Sequence, residues 1–215
     1  MRAKARRLVF SSVHSAAALA FSVMLGTTLV ACSSPAPALY TLLPVAGPSQ
    51  AGGPRVVTLQ QVGLARYLER QQIVRSSENY RLNVMSNDWW GEPLGAMLGR
   101  VLVEELGQRL PNSTVLAESG AVSSAPDATI ELNVQRLDIN AAGDLVLQAQ
   151  AGVGLRRGSP PALRGFRFAV PAPTPDVAGQ VAAASVALGQ LADGLAAMLL
   201  AAPASSLSAR PAALR

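Results

Sequence analysis

The chain has 215 residues, half of them apolar and 14% charged, with a formal net charge of +5; that length allows one domain or two small ones. Four of the 18 basic residues (Arg2, Lys4, Arg6, Arg7) lie in the first seven positions, and beyond residue 31 the balance is 14 basic to 13 acidic, a net of +1, so no concentrated basic face for nucleic acid is evident. The only His is His14 and the only Cys is Cys32, which excludes Ser-His-Asp and Cys-His catalysis, His/Cys zinc sites and an intrachain disulfide from the remainder, leaving only carboxylate chemistry.

Residues 2–7 form a positively charged n-region, and Leu8 to Val30 is mostly apolar without a charge. Such a stretch reads as a transmembrane anchor or as a secretory signal. Leu29-Val30-Ala31-Cys32 decides for the signal, because it resembles the bacterial lipoprotein box: a small residue at the cleavage position, then a thiol to carry diacylglycerol. Residues 1–31 are therefore expected to be a lipoprotein signal peptide on the general secretory route, with Arg6-Arg7 only faintly similar to a twin-arginine signal. Cys32 is the expected lipidation site, and two or more acyl chains give stable anchoring. Ser33, rather than Asp, follows the Cys; by resemblance to bacterial lipoproteins this favours sorting to the outer membrane, with the domain on the periplasmic face. Residues 32–38 form the lipidated N-terminus and a Pro/Ser linker that reaches at most about 20 Å.

Leu39–Leu43 and Arg55–Leu59 read as short strands. Tyr80, Leu82 and Val84 alternate with Arg81, Asn83 and Met85, the period of a half-buried strand. Leu94, Met97, Leu98, Val101, Leu102 and Leu106 form one apolar helical face, with Pro93 suited to its first turn and Pro111 after its end. Ser113–Leu116 reads as a strand, so Tyr80 to Leu116 is expected to be a βαβ unit. From Ala128 the pattern is that of a three-stranded antiparallel meander. Ile130, Leu132 and Val134 alternate, then Leu137 and Ile139 continue in the opposite phase, which places a β-bulge near Gln135-Arg136. A turn at Ala141–Asp144 leads into the alternation Leu145 to Leu155, and Phe166, Phe168 and Val170 form the third strand face. Thr174-Pro175-Asp176 reads as a helix start, with Thr174 as capping hydroxyl and Pro175 at the first position. Val177, Val181, Ala184, Leu188, Leu191, Leu195 and Met198 recur by fours and threes; this seam reads as a face packed on the sheet in preference to a coiled coil. Gly179, Gly189 and Gly194 within it point to close backbone packing. The expectation is a single α/β domain over residues 39–202: a mixed β-sheet with a βαβ unit, an antiparallel meander and a C-terminal helix packed on it. Residues 203–215 read as a disordered tail.

Two segments carry a resemblance. Tyr67-Leu68-Glu69-Arg70-Gln71-Gln72-Ile73-Val74-Arg75, and Trp90-Gly91-Glu92-Pro93-Leu94 followed by Arg100-Val101-Leu102 and Leu106, resemble the ABC-type transport auxiliary lipoproteins, the PqiC/YmbA-like family. Tyr40-Thr41-Leu42 and the Ala-rich C-terminal helix fit as well; Gln71 departs from the family, which often has Pro there. The resemblance implies a non-enzymatic, cofactor-free accessory lipoprotein. It would work with an MCE-domain protein and its inner-membrane permease in intermembrane lipid transport, in some members as a homo-oligomeric ring. A generic envelope scaffold is the alternative, and a carboxylate hydrolase a distant third.

Arg66, Tyr67, Arg70, Arg75 and Trp89 are the candidate partner-binding residues. The arginines could meet acidic groups or headgroups, or pair within the domain with Glu69, Glu78 or Glu92. Trp90 is expected in the core, with Trp89 open between core and partner contact. Of Glu104-Glu105, one is expected to face solvent.

Overall fold

The computed structural model describes residues 36–156 and 160–201. The expected signal peptide, Cys32 and the expected disordered tail from residue 203 lie outside the described residues. From Pro37 onward the described chain belongs to one compact unit. Nine strands, two long helices and one 3-10 turn (Arg66–Leu68) follow in order: β1 Ala38–Tyr40, β2 Val56–Leu59, β3 Gly63–Leu64, the turn, β4 Gln72–Ser76, β5 Asn83–Trp90, α1 Leu94–Arg109, β6 Thr114–Ala117, β7 Ala128–Ile139, β8 Asp144–Leu155, β9 Ala162–Pro171 and α2 Val177–Ala201.

The strands make two sheets. The larger has the order β6-β2-β7-β8-β9, with β3 pairing in parallel to β7 beyond the end of β2. The smaller has the order β1-β5-β4. The single mixed α/β domain with a C-terminal helix is therefore as expected, but the βαβ unit lies elsewhere. β5 and β6 belong to different sheets, so Tyr80 to Leu116 is not such a unit. The parallel pair joined through α1 is β2 with β6, in register Val56↔Thr114 to Leu59↔Ala117. The strand expected to begin at Tyr80 begins at Asn83 and runs to Trp90, and β4 precedes it as an additional strand.

The meander follows its sequence closely. Val134 pairs with Ala149 and Arg136 with Gln148, leaving Gln135 as the extra residue. That single insertion keeps Ile130, Leu132 and Val134 on the same face as Leu137 and Ile139, opposite the buried Leu145, Leu147, Ala149, Ala151 and Val153. Phe166, Phe168 and Val170 on β9 continue that face. At the β7–β8 turn, Gly143 takes φ +89°, a conformation that favours glycine.

Both helices cover the sheets. α1 buries the expected stripe, extended through Glu105 and Arg109. α2 is 25 residues long and apolar enough to span a bilayer by length and composition. It is nonetheless a core helix, buried around most of its circumference against α1 and the meander and exposed along one stripe through Ala178, Ala182, Val186 and Gln190. Its cap is Asp176, whose Oδ1 accepts the Gly179 N–H at 2.8 Å and the Thr174 hydroxyl at 2.6 Å. Thr174 thus supports the cap instead of forming it, and Pro175 precedes the helix. Gly194 lies under the Phe166 ring, where an added Cβ would sit 2.5 Å from Cε1, and a Cβ at Gly189 would sit 3.0 Å from Val45 Cβ. The close approach expected of these glycines is present.

Candidate functional site

The first signature segment wraps the edge where β4 meets β7 and the start of α2. Tyr67 sits in the 3-10 turn, half-buried, and its hydroxyl donates to Asp138 Oδ2 at 3.1 Å. Asp138 is fully buried, and its Oδ1 accepts from Arg136 Nε at 2.7 Å; Arg136 also pairs with Glu78 at 3.1 Å. The bulge at Gln135 directs Arg136 and Asp138 to the face opposite Leu137, where Tyr67 and Arg136 close over the carboxylate. Burial and the neighbouring Asp138 charge push the Tyr67 hydroxyl up to about 12. Its polar group is therefore held inside the domain.

Arg75 is likewise held. Its guanidinium donates to the carbonyls of Pro175 at 2.8 Å and Asp176 at 3.1 Å, and to Gln180 Oε1 at 3.1 Å. Gln180 is buried and returns a bond from Nε2 to the Val74 carbonyl at 2.8 Å. The edge of the small sheet is thus fastened to the first turn of α2. The Asp176 carboxyl lies below its ordinary value because Thr174 and the Gly179 N–H hydrogen-bond its charged form.

The second segment fastens the other side. Trp90 is buried. The Gly91 N–H donates to the Tyr40 carbonyl at 2.8 Å. Glu92 pairs with Arg100 at 2.7 Å, and Arg100 reaches the Thr41 hydroxyl at 3.3 Å. Gln71, the departure from the family pattern, still closes its turn: its carbonyl accepts the Trp90 N–H at 2.8 Å. Both signature segments are clips between elements.

The sequence candidates therefore separate. Arg66 is exposed and makes no ion pair among the described residues. Arg70 is exposed, and its Nε bonds only the Tyr67 carbonyl of its own turn, at 2.9 Å. Trp89 is half-buried opposite Gln72, its indole N–H donating to the Ser86 carbonyl at 2.9 Å. Among the described residues, the pairing of Arg66, Arg70 or Arg75 with Glu69, Glu78 or Glu92 does not occur: Glu78 is taken by Arg136 and Glu92 by Arg100, while Arg75 uses two carbonyls and Gln180. Arg66, Arg70 and Trp89 keep accessible surface; Tyr67 and Arg75 have their polar groups engaged.

A second polar group lies in the core between α1 and α2. Arg109 is buried and bonds Asp193 Oδ1 at 2.6 Å and the carbonyls of Val45, Glu105 and Gly189 at 3.0–3.2 Å. Glu105 is fully buried; its Oε1 accepts the Val45 N–H at 2.8 Å, and its Oε2 has no partner. Burial pushes this carboxyl up to about 7. Glu104 faces solvent, as expected of one member of the pair. The signal was present in the sequence, since Glu105 and Arg109 fall on the apolar stripe of α1.

A shallow cleft of about 510 Å³ lies on the outer face of the large sheet, with Glu131, Asn133, Gln150 and Arg164 among its lining. No group of three potential metal ligands occurs among the described residues.

Residues 40–196 match the family described as ABC-type transport auxiliary lipoprotein component. Among solved structures, an uncharacterised protein aligns with TM-score 0.65 at 18% identity, over 76% of this chain and 98% of its own. A protein from Xanthomonas campestris aligns with TM-score 0.58 at 20% identity, over 73% of this chain and 91% of its own. At these identities the likeness concerns the fold. No curated protein sequence matches the chain.

Proposed function

The chain belongs to the family of ABC-type transport auxiliary lipoprotein components, and from that premise we propose that it is a non-enzymatic accessory of an MCE-type intermembrane lipid transport system. Cys32 is its acylation site, the outer membrane its anchor, and the periplasm the compartment of its domain. It acts by binding protein: it holds the MCE-domain protein, and through it the inner-membrane ABC permease, at the outer membrane. The observation that carries this reading is the family match across the domain, which begins eight residues after Cys32.

The surface left to a partner supports a narrower dock than the signature segment as a whole. Arg66 opens the 3-10 turn and Arg70 follows two residues after its end, both exposed and with no acidic side chain bound among the described residues, and two free guanidiniums four residues apart suit acidic groups on a protein. The homo-oligomeric ring belongs to the same proposal, and the mass of the detergent-solubilised protein tests it.

The deciding experiment is purification of the tagged, full-length protein in mild detergent, with its companions identified by mass spectrometry. Recovery of an MCE-domain protein or its permease is expected, and is expected to be lost on exchanging Arg66 and Arg70 for Glu while the fold is kept. Recovery of cell-wall fragments or another assembly machine instead would favour the generic scaffold.

A further inference from the structure

The hairpin joining β4 to β5 has a tip that the domain itself does not use. Arg81 N–H donates to the Glu78 carbonyl at 3.2 Å, closing a four-residue turn whose central residues, Asn79 and Tyr80, have φ +56° and +60°. Two successive positive φ values are those of a type I′ turn, which favours Asn-Gly. Here the glycine position holds Tyr80, an aromatic residue in a region that side chains of its kind rarely enter. No packing explains it, because Tyr80 is fully exposed; Leu82, two residues on, is 41% exposed, and Arg81 between them also faces solvent. A strained, exposed aromatic beside an exposed leucine and a cation points outside the domain for its purpose.

The course of the chain says where that outside is. β1 runs parallel to β5, with Ala38 opposite Asp88, so the chain enters the domain from the side on which the hairpin tip stands. From Asp88 back to Asn83, β5 covers about 17 Å. The six residues from Cys32 to Ala38 reach at most about 20 Å. A membrane that holds Cys32 is therefore within reach of the tip.

We propose that the Tyr80-Arg81-Leu82 tip is a second membrane contact, inserting into the interface of the bilayer that anchors Cys32; this rests on the lipidation proposed above. Tyr is an interfacial residue with an apolar ring and a polar end, leucine adds apolar surface, and arginine meets anionic headgroups. A tether of this length alone would leave the domain free to tilt. A second contact fixes its orientation and hence the direction in which Arg66 and Arg70 face.

The test uses the full-length, acylated protein in vesicles of phosphatidylethanolamine and phosphatidylglycerol. Acylation occupies the only Cys, so Asn83→Cys, exposed just behind the tip, accepts an environment-sensitive fluorophore as a single label. Val122→Cys, 68% exposed in the segment between β6 and β7, is the control. The label at 83 is expected to shift to the blue and to lose fluorescence to quencher-bearing lipids, while the label at 122 behaves as in water. Tyr80→Gly with Leu82→Ser is expected to return the label at 83 to its aqueous spectrum. That variant gives the turn its favoured residue, so unfolding would not account for the change. An aqueous label at 83 on vesicles that do carry the protein overturns the proposal and spares the anchor. A protein that lacks acyl mass and does not float with vesicles overturns both.

Discussion

Replacing Glu105 by Gln isolates the energetic consequence of one buried carboxyl. Glu105 is fully buried on α1; one oxygen accepts the Val45 N–H and the other has no partner. Its pKa is raised by burial from 4.5 to about 7 in the folded chain. The folded state therefore keeps a proton, between about pH 4.5 and pH 7, that the unfolded state has released. Stability is highest at the acid side of this window, falls as pH rises through it, and levels off above about 7. The rise from 4.5 to about 7, at about 1.4 kcal/mol per pH unit, corresponds to roughly 3–4 kcal/mol. The window is otherwise clear, because the only His in the chain is His14 in the expected signal peptide. Glu105→Gln keeps an acceptor for Val45 and cannot ionise. Urea unfolding of the signal-cleaved protein, followed by the fluorescence of buried Trp90 from pH 4.5 to 8, is expected to show a falling midpoint for the wild type and a flat one for the variant. The variant should be the more stable above pH 7. A wild type with no slope, or a variant that inherits it, would refute the assignment.

Arg109→Met leaves the Asp193 carboxylate and the carbonyls of Val45, Glu105 and Gly189 without their buried cation, and is expected to cost about 3–5 kcal/mol, read as a lowered urea midpoint or loss of folded protein. Gly194→Ala improves intrinsic helix propensity, yet its methyl would meet the Phe166 ring; overpacking of about 1–3 kcal/mol is expected to win, giving a lower melting temperature. Cys32→Ala is expected to move the protein from the membrane to the soluble fraction with its fold unchanged, as judged by fractionation and circular dichroism; full membrane retention would contradict the tether.

Where the sequence was legible, one periodicity dominated its segment. The meander could be read to the residue because the change of phase between Val134 and Leu137 has one economical cause, an extra residue in the strand. The stripe of α1 was equally plain. The small sheet was not, because β4 buries adjacent residues, Ile73 and Val74, and so shows no alternation. Tyr80 and Leu82 alternate as a strand would, but Tyr80 belongs to a turn and Leu82 to the residues between that turn and β5, and a pattern of side chains does not report φ. The same limit applies to the candidate site. Sequence placed Arg75 near possible carboxylates, whereas its partners are two backbone carbonyls just before α2 and the Gln180 side chain within it, about a hundred residues away and brought close only by the fold. Glu105 was the opposite case: its place on the stripe of α1 marked it for burial in the sequence itself.

The buried helix α2 bears on the export route proposed for the chain. A polypeptide threaded unfolded across the inner membrane presents each apolar segment to lipid before its own sheet exists, and 25 residues of this hydropathy could leave the channel sideways. The composition works against that escape. Alanine and glycine supply close packing in the fold with little of leucine's preference for lipid, and Asp193 is expensive to place within a bilayer. The carboxylate that receives Arg109 in the finished domain thus discourages, earlier in the life of the chain, the wrong destination for the helix that carries it.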